Sequence, residues 1–269
     1  MLRRNNNYAS TKGSAIAKQE VIAYTNLIRA LAQKNIYLGT TSAIWKDAER
    51  KFAASILPIA EMECTGINLP SDSTILSITD RYRGYIAWHV RVEDMYEQVF
   101  ASDEWKQFMH ALMHQSVERQ MLILSLDDSI AYTPETLDIL ESFRDEVRSL
   151  ICLLETSDNS WKTPNVQRVL KSLKWSHVFL DAPPLYGIIK DVEYHVASIA
   201  YLRVLGRNSY TWFEPEAEER FAYHYTKEEL QELATRIRQL RNVHDQVFVI
   251  FCNRPGAFEN VIELAHLLI

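Results

Sequence analysis

Three acidic residues stand at or near the ends of short apolar runs. They are Glu63 in the run 59–65, Glu155 closing 150–155, and Asp181 closing 177–181. Carboxylates brought together from separate strands can form an acid–base pair. They can also hold a hard divalent ion such as Mg2+ or Mn2+. Other runs carry the complementary groups His89, Arg91, Arg203, Arg207, Asn253 and Arg254. Arginine presents paired donors to an anion. Asn253-Arg254-Pro255-Gly256 leads into a helical pattern, whose first N–H groups and dipole favour negative charge. The set therefore points to an anion held by arginines beside carboxylates that move protons. No metal is assigned, because Arg91 and Arg203 can neutralise the acids as well as an ion could. His110 and His114 have helical i, i+4 spacing, but Ala111 stands where the HExxH motif needs its Glu. GxSxG, GxGxxG and phosphate-loop motifs are absent, so no cofactor is identified.

The elements that must position these residues form a regular series. Apolar runs occur at 36–39, 59–65, 85–92, 121–126, 150–155, 177–181, 198–205 and 246–253. Helix-like stretches lie near 45–57, 73–81, 102–118, 134–148, 163–174, 184–194, 226–241 and 257–268. Thr133-Pro134 and Thr163-Pro164 each place a capping residue before a proline at the first helical position. Thr226 with Glu229 fits a capping box. Eight strands alternating with helices within ~250 residues is the rhythm of a (β/α)8 TIM barrel. Residues 36–269 are assigned to that single α/β barrel. Residues 1–35 are assigned to a polar tail and an extra N-terminal helix at 17–34, with Val21, Tyr24, Leu27, Ile28 and Leu31 on one face. That helix is expected to plug the N-terminal end of the barrel, because an exposed apolar stripe is costly.

Strand parity separates the two faces of the barrel. The outer face packs on helices and must be apolar, so polar residues of the other parity point into the lumen. Ala60, Met62 and Cys64 suit the helix side and leave Glu61 and Glu63 inside. Ile86, Trp88 and Val90 leave His89 and Arg91 inside, and Ala200, Leu202 and Val204 leave Tyr201 and Arg203 inside. Trp45, Trp161, Tyr210, Trp212 and Phe213 fall in or near strand-to-helix loops, as loop anchors or as surfaces for a base or sugar.

Bulk composition sets the outer limits. Hydrophobic residues are 47% and charged residues 24%, an ordinary globular balance. Only seven glycines are present, which disfavours a sandwich of many tight turns. A net charge of −6 disfavours a nucleic-acid partner, whose phosphates call for a basic footprint. Cys64, Cys152 and Cys252 each lie in apolar runs and contain no CxxC, which suits reduced, buried thiols in the cytoplasm. No run of 18 apolar residues spans a membrane, and the charged, polar start is not a secretory signal.

Several segments in sequence order carry a resemblance. Ile36-Tyr37-Leu38-Gly39-Thr40, Glu63-Cys64-Thr65 followed by Pro70, Glu155 with Ser160-Trp161, Phe179-Leu180-Asp181-Ala182-Pro183, Tyr201-Leu202-Arg203 with Gly206-Arg207, and Val249-Ile250-Phe251-Cys252-Asn253 are similar to the YecE-like proteins, domain of unknown function number 72. The resemblance runs over roughly 36–269 and implies a TIM barrel. It carries no activity with it. Leu205 stands in the place of a family His, and Leu124-Ser125-Leu126 in the place of Gln-x-Pro. The expected function is an enzyme-like barrel that binds a small phosphorylated or other anionic ligand at its C-terminal mouth, as a hydrolase or phosphodiesterase. Glu63, Glu155 and Asp181 would be catalytic. His89, Arg91, Arg203, Arg207, Asn253 and Arg254 would bind the ligand. The alternative is a catalytically decayed barrel acting as a non-enzymatic binding or scaffold protein.

Overall fold

A computed structural model describes residues 18–42, 56–93, 96–114, 117–185, 194–213 and 217–269. Eight parallel strands close into one barrel in sequence order. They are β1 (Ile36–Thr41), β2 (Ile59–Thr65), β3 (Tyr85–Val92), β4 (Gln120–Leu126), β5 (Ile151–Thr156), β6 (Ser176–Asp181), β7 (Ile199–Val204) and β8 (Gln246–Phe251). The described helices are α1 (Lys18–Gln33), α2 (Asp72–Arg81), α3 (Tyr96–Ala101), α4 (Asp103–Met113), α5 (Pro134–Arg144), α6 (Pro164–Leu173), α7 (Ala217–Arg220), α8 (Lys227–Val243) and α9 (Ala257–Leu268). Among the described residues, no helix is long and apolar enough to cross a membrane.

Local chemistry fixes most helix starts. Thr133 and Thr163 accept first-turn N–H bonds ahead of Pro134 and Pro164. Thr226 and Glu229 form the reciprocal capping box of α8. The helix expected over 102–118 instead begins after the Ser102 cap and ends at Met113, and the short α3 precedes it. The helical patterns near 45–57 and 184–194 fall almost wholly outside the described residues, as does Trp45. The N-terminal helix is present, but α1 lies against β1 and α9 on the flank of the barrel rather than across its end. There Ile28 and Leu31 find a ready apolar seam with Leu264 and Leu268.

The parity expectation holds in the core. Ala60, Trp88, Leu122, Leu154 and their outward-facing neighbours pack on the surrounding helices, and Ala200, Leu202, Val204 and Val249 do so on the other side. A separate cluster fills the lumen, including Ile59, Ala87, Ile123, Leu153, Val178, Tyr201, Phe248 and Ile250. At its lower end Phe248 stacks on Tyr37 with ring centroids 4.7 Å apart and meets Tyr85 edge-on at 5.0 Å. Tyr201, the register partner of Phe248, stacks on it with centroids 6.4 Å apart, so this aromatic packing supports the ring whose hydroxyl donates to Glu61. Strand register then sets neighbours: Glu63 pairs with His89, and Ser125 with Glu155. Phe248→Ala should cost about 3–5 kcal/mol in urea denaturation, because a fully buried ring leaves a cavity. A loss below about 1 kcal/mol would show that this aromatic layer does not support the barrel.

Candidate active site

The mouth of the lumen is organised around one side chain. Arg203 on β7 is buried, and its guanidinium reaches acids from two other strands. Nε and one terminal nitrogen donate to Glu61 Oε1 at 3.2 and 3.0 Å. The same terminal nitrogen donates to Glu63 Oε1 at 3.0 Å. The other donates to both oxygens of Glu155 at 3.1 Å. The remaining acceptor capacity is also used. Tyr201 donates to Glu61 Oε2 at 2.8 Å, and Ser125 donates to Glu155 Oε1 at 3.0 Å. His89 Nε2 lies 3.4 Å from Glu155 Oε1.

The electrostatics follow from this burial. Desolvation alone would push the Glu155 carboxyl up. The charges of Arg203 and His89 outweigh it and hold the group well below its ordinary value near 4.5. Burial opposes the charge of Arg203 too, but Glu155 and Glu61 raise its pKa well above the usual guanidinium value. Burial and the Glu61 charge push the Tyr201 phenol up, so it remains a donor. Glu63 differs from the other two acids. Its side chain is 31% exposed. Its second oxygen has no hydrogen-bond partner among the described residues, whereas Glu61 and Glu155 are enclosed.

Glu61, Glu63 and Cys252 place one ligand atom each within 4.8 Å of one another. That donor set suits a metal poorly here. Arg203 already lies on the Glu61 and Glu63 oxygens that would face the ion, and burial pushes the Cys252 thiol well above its ordinary value. The guanidinium supplies the positive charge that a metal would bring.

The remaining expected site residues divide between other clusters. Asp181 does not join Glu63 and Glu155. It takes a two-pronged bond from Arg207 at 3.0 and 2.9 Å and a bond from the Tyr225 hydroxyl at 2.7 Å. Arg207 also reaches Glu232 at 2.9 Å. Arg91 stands at the rim with its side chain 48% exposed and pairs with Asp127 and Glu93. It was assigned inward, but the lumen does not enclose it. Asn253 lies two residues beyond the end of β8 and is fully buried. Its amide donates to the Tyr223 carbonyl and to Asn260 of α9, so it ties loop to helix. Arg254 pairs through its backbone with Phe221 and Tyr223, next to Gly256, the αL residue that opens α9.

A family-wide sequence profile described as "Protein of unknown function DUF72" matches residues 48–268. The chain belongs to the DUF72 family. It is 25% identical over 211 residues to the UPF0759 protein YunF of Bacillus subtilis strain 168, covering 72% of this chain and 73% of that one. The crystal structure of a DUF72 protein, EF0366 of Enterococcus faecalis V583, superposes with TM-score 0.70 at 22% identity. The match covers 87% of this chain and 97% of that one. A second DUF72 structure, TM1631 of Thermotoga maritima MSB8, gives TM-score 0.69 at 21% identity over 87% and 98%. At these identities the structures show the fold alone, and DUF72 membership assigns no reaction.

Within this DUF72 chain, the centre includes residues that inspection of strand ends alone passes over. Glu61 and Tyr201 were legible as inward-facing from parity. Ser125 becomes legible only through its register opposite Glu155. Tyr225 lies in the segment before α8 and gives no local sign of its bond to Asp181. His110 and the C-cap residue His114, both exposed, stack with ring centroids 3.9 Å apart at the C-terminal end of α4.

Arg203→Met should lose about 3–5 kcal/mol at pH 7, because it strands buried acids without their cation. Folded wild-type Glu155 has a depressed pKa, so its stabilisation is present above about 4.5 and is lost as pH falls through the folded value. The variant's acids, raised by burial without a cation, should gain protons on folding and move the other way. Urea midpoints between pH 7 and 4.5 should therefore rise for the variant as pH falls. Equal slopes in the two proteins would contradict the arrangement.

Proposed function

We propose that the mouth is a hydrolytic acid–base site for a small polar substrate, with Glu63 as the base and His89 as the acid. One observation carries this reading. Of the acids gathered on Arg203, Glu63 has by far the most exposed side chain, and its register partner is His89. Arg203 holds one Glu63 oxygen and fixes the orientation of the carboxylate. In the proposed reaction Glu63 takes a proton from water, and the water oxygen bonds to the electrophilic centre. The leaving group departs with a proton from His89, itself placed by Glu155. Glu61 and Glu155 act as positioning residues rather than reacting ones.

A second reading, an anionic or phosphorylated ligand, is favoured by a different observation. Helix α9 opens at Gly256 with no side-chain cap, two residues after Arg254. The positive end of the helix dipole there suits an anion. Arg203 and Arg207 are engaged by carboxylates, so this turn would have to seat the anionic group.

The test is a panel of p-nitrophenyl glycosides, carboxylic esters, phosphate monoesters and phosphate diesters. The wild type should hydrolyse one class, and Glu63→Gln should slow that turnover about 100-fold or more with folding intact. Turnover confined to phosphate esters would support the anionic reading. Turnover of no class would favour the non-enzymatic binding protein, and an unimpaired Glu63→Gln would remove Glu63 as the base.

A further inference from the structure

The segment that leaves β7, the strand of Arg203, builds an aromatic wall beside the mouth. Gly206 turns it in the left-handed region at φ 94°, where a Cβ would lie 2.7 Å from the Tyr223 side chain. Asn208 then fastens the segment. Its amide donates to Thr211 Oγ1 at 2.7 Å and to the Ala222 carbonyl at 3.1 Å, and its oxygen accepts from Tyr210 N at 3.1 Å. Thr211 in turn donates to the Glu219 carbonyl at 2.6 Å.

This framework presents its rings in two directions. Trp212 turns inward, meets Phe221 edge-on with centroids 6.0 Å apart, and packs with it on the cluster that fills the lumen. Tyr210 and Phe213 face outward and are 95% and 75% exposed. Neither ring stacks on another among the described residues. Trp161, by contrast, is buried and donates to the Ile130 carbonyl, so it is a loop anchor. Large rings held open to water by a hydrogen-bonded loop mark a contact surface.

We propose that this wall and the carboxylate mouth together bind an uncharged sugar. A pyranose face carries weakly positive C–H groups that settle on the negative face of an aromatic ring. Its hydroxyls donate to carboxylates, and Glu63 keeps an oxygen open for one. The surroundings disfavour the other ligands that rings attract. A nucleotide or nucleic acid would bring phosphates towards Glu63, Asp181, Glu229 and Glu232, in a chain of net charge −6. An alkylammonium ion is best held by rings that converge into a cage. Here Trp212 and Phe221 meet edge-on, while Tyr210 and Phe213 point into solvent.

For the reaction, the inference rests on the acid–base reading above, and the sugar would then be a glycoside. Water would add to the anomeric carbon, the glycosidic C–O bond would break, and the departing oxygen would take the proton from His89. For binding, the inference stands on the exposed rings and the open side of Glu63, whether or not a reaction follows.

The experiment uses the full chain with methyl glycosides of glucose, galactose, mannose, xylose and N-acetylglucosamine, together with maltose and cellobiose. Saturation-transfer NMR detects contact and calorimetry measures affinity. At least one sugar should bind. Tyr210→Ala/Phe213→Ala, which alters only exposed rings, should weaken it about tenfold. Trp212→Phe should weaken it less, by keeping a ring, and Glu63→Gln should retain binding while losing any hydrolysis. Adenosine monophosphate and tetramethylammonium serve as competitors and should not displace the sugar. Binding of no sugar, preferential binding of either competitor, or an unchanged affinity in the double variant would overturn the proposal. Sugar binding without turnover would remove the acid–base reading and leave the ligand class standing. Turnover of another ester class without sugar binding would do the reverse.

Discussion

The structure depends on one buried guanidinium serving three acids. Arg203 engages Glu61, Glu63 and Glu155 at 3.0–3.2 Å in a lumen closed to water on most sides. An isolated charge there would be prohibitively costly, and paired charges survive only when their remaining bonding capacity is met. Tyr201, Ser125 and His89 meet it. The acids are brought to that point by strand register, and the register is held in turn by apolar packing on both faces of the barrel. Breaking the pairing at Arg203 therefore disturbs the region where the fold has the fewest alternatives.

The same pairing determines what the mouth can do. A cation that belongs to the chain lies on Glu61 and Glu63, the two acids that could share a divalent ion with Cys252. Arg207 is likewise committed to Asp181 and Glu232, and Arg91 to Asp127 and Glu93. Arg91, Arg203 and Arg207, read from the sequence as ligand-binding, thus balance the protein's own acids. What remains open is an acceptor-rich mouth, the free oxygen of Glu63, and the aromatic wall rising from β7.

The barrel itself was legible because each strand reports its two faces by parity, and the core reproduces that division on β2, β3 and β7. Two features were beyond that logic. Parity says which way a side chain points, but not how far up the lumen it stands, and Arg91 emerges at the rim instead of inside. It also cannot say which partner wins at a crowded mouth. Asp181 ends its strand as Glu155 does, yet Arg207 and Tyr225 draw it into a separate cluster. Tyr225 acts from a connecting segment, where no periodicity marks it. The N-terminal helix was legible as amphipathic, while its docking on β1 and α9 was set by the apolar seam those elements leave between them.

A double-mutant cycle between Arg203→Met and Glu155→Gln, read as unfolding free energy at pH 7, tests the central claim most directly. If the guanidinium is the counter-charge of the buried acids, the double variant will be more stable than the sum of the single losses implies, by about 2 kcal/mol. Additivity within about 0.5 kcal/mol would mean that the two residues do not act on one another, and the account of the mouth would fail.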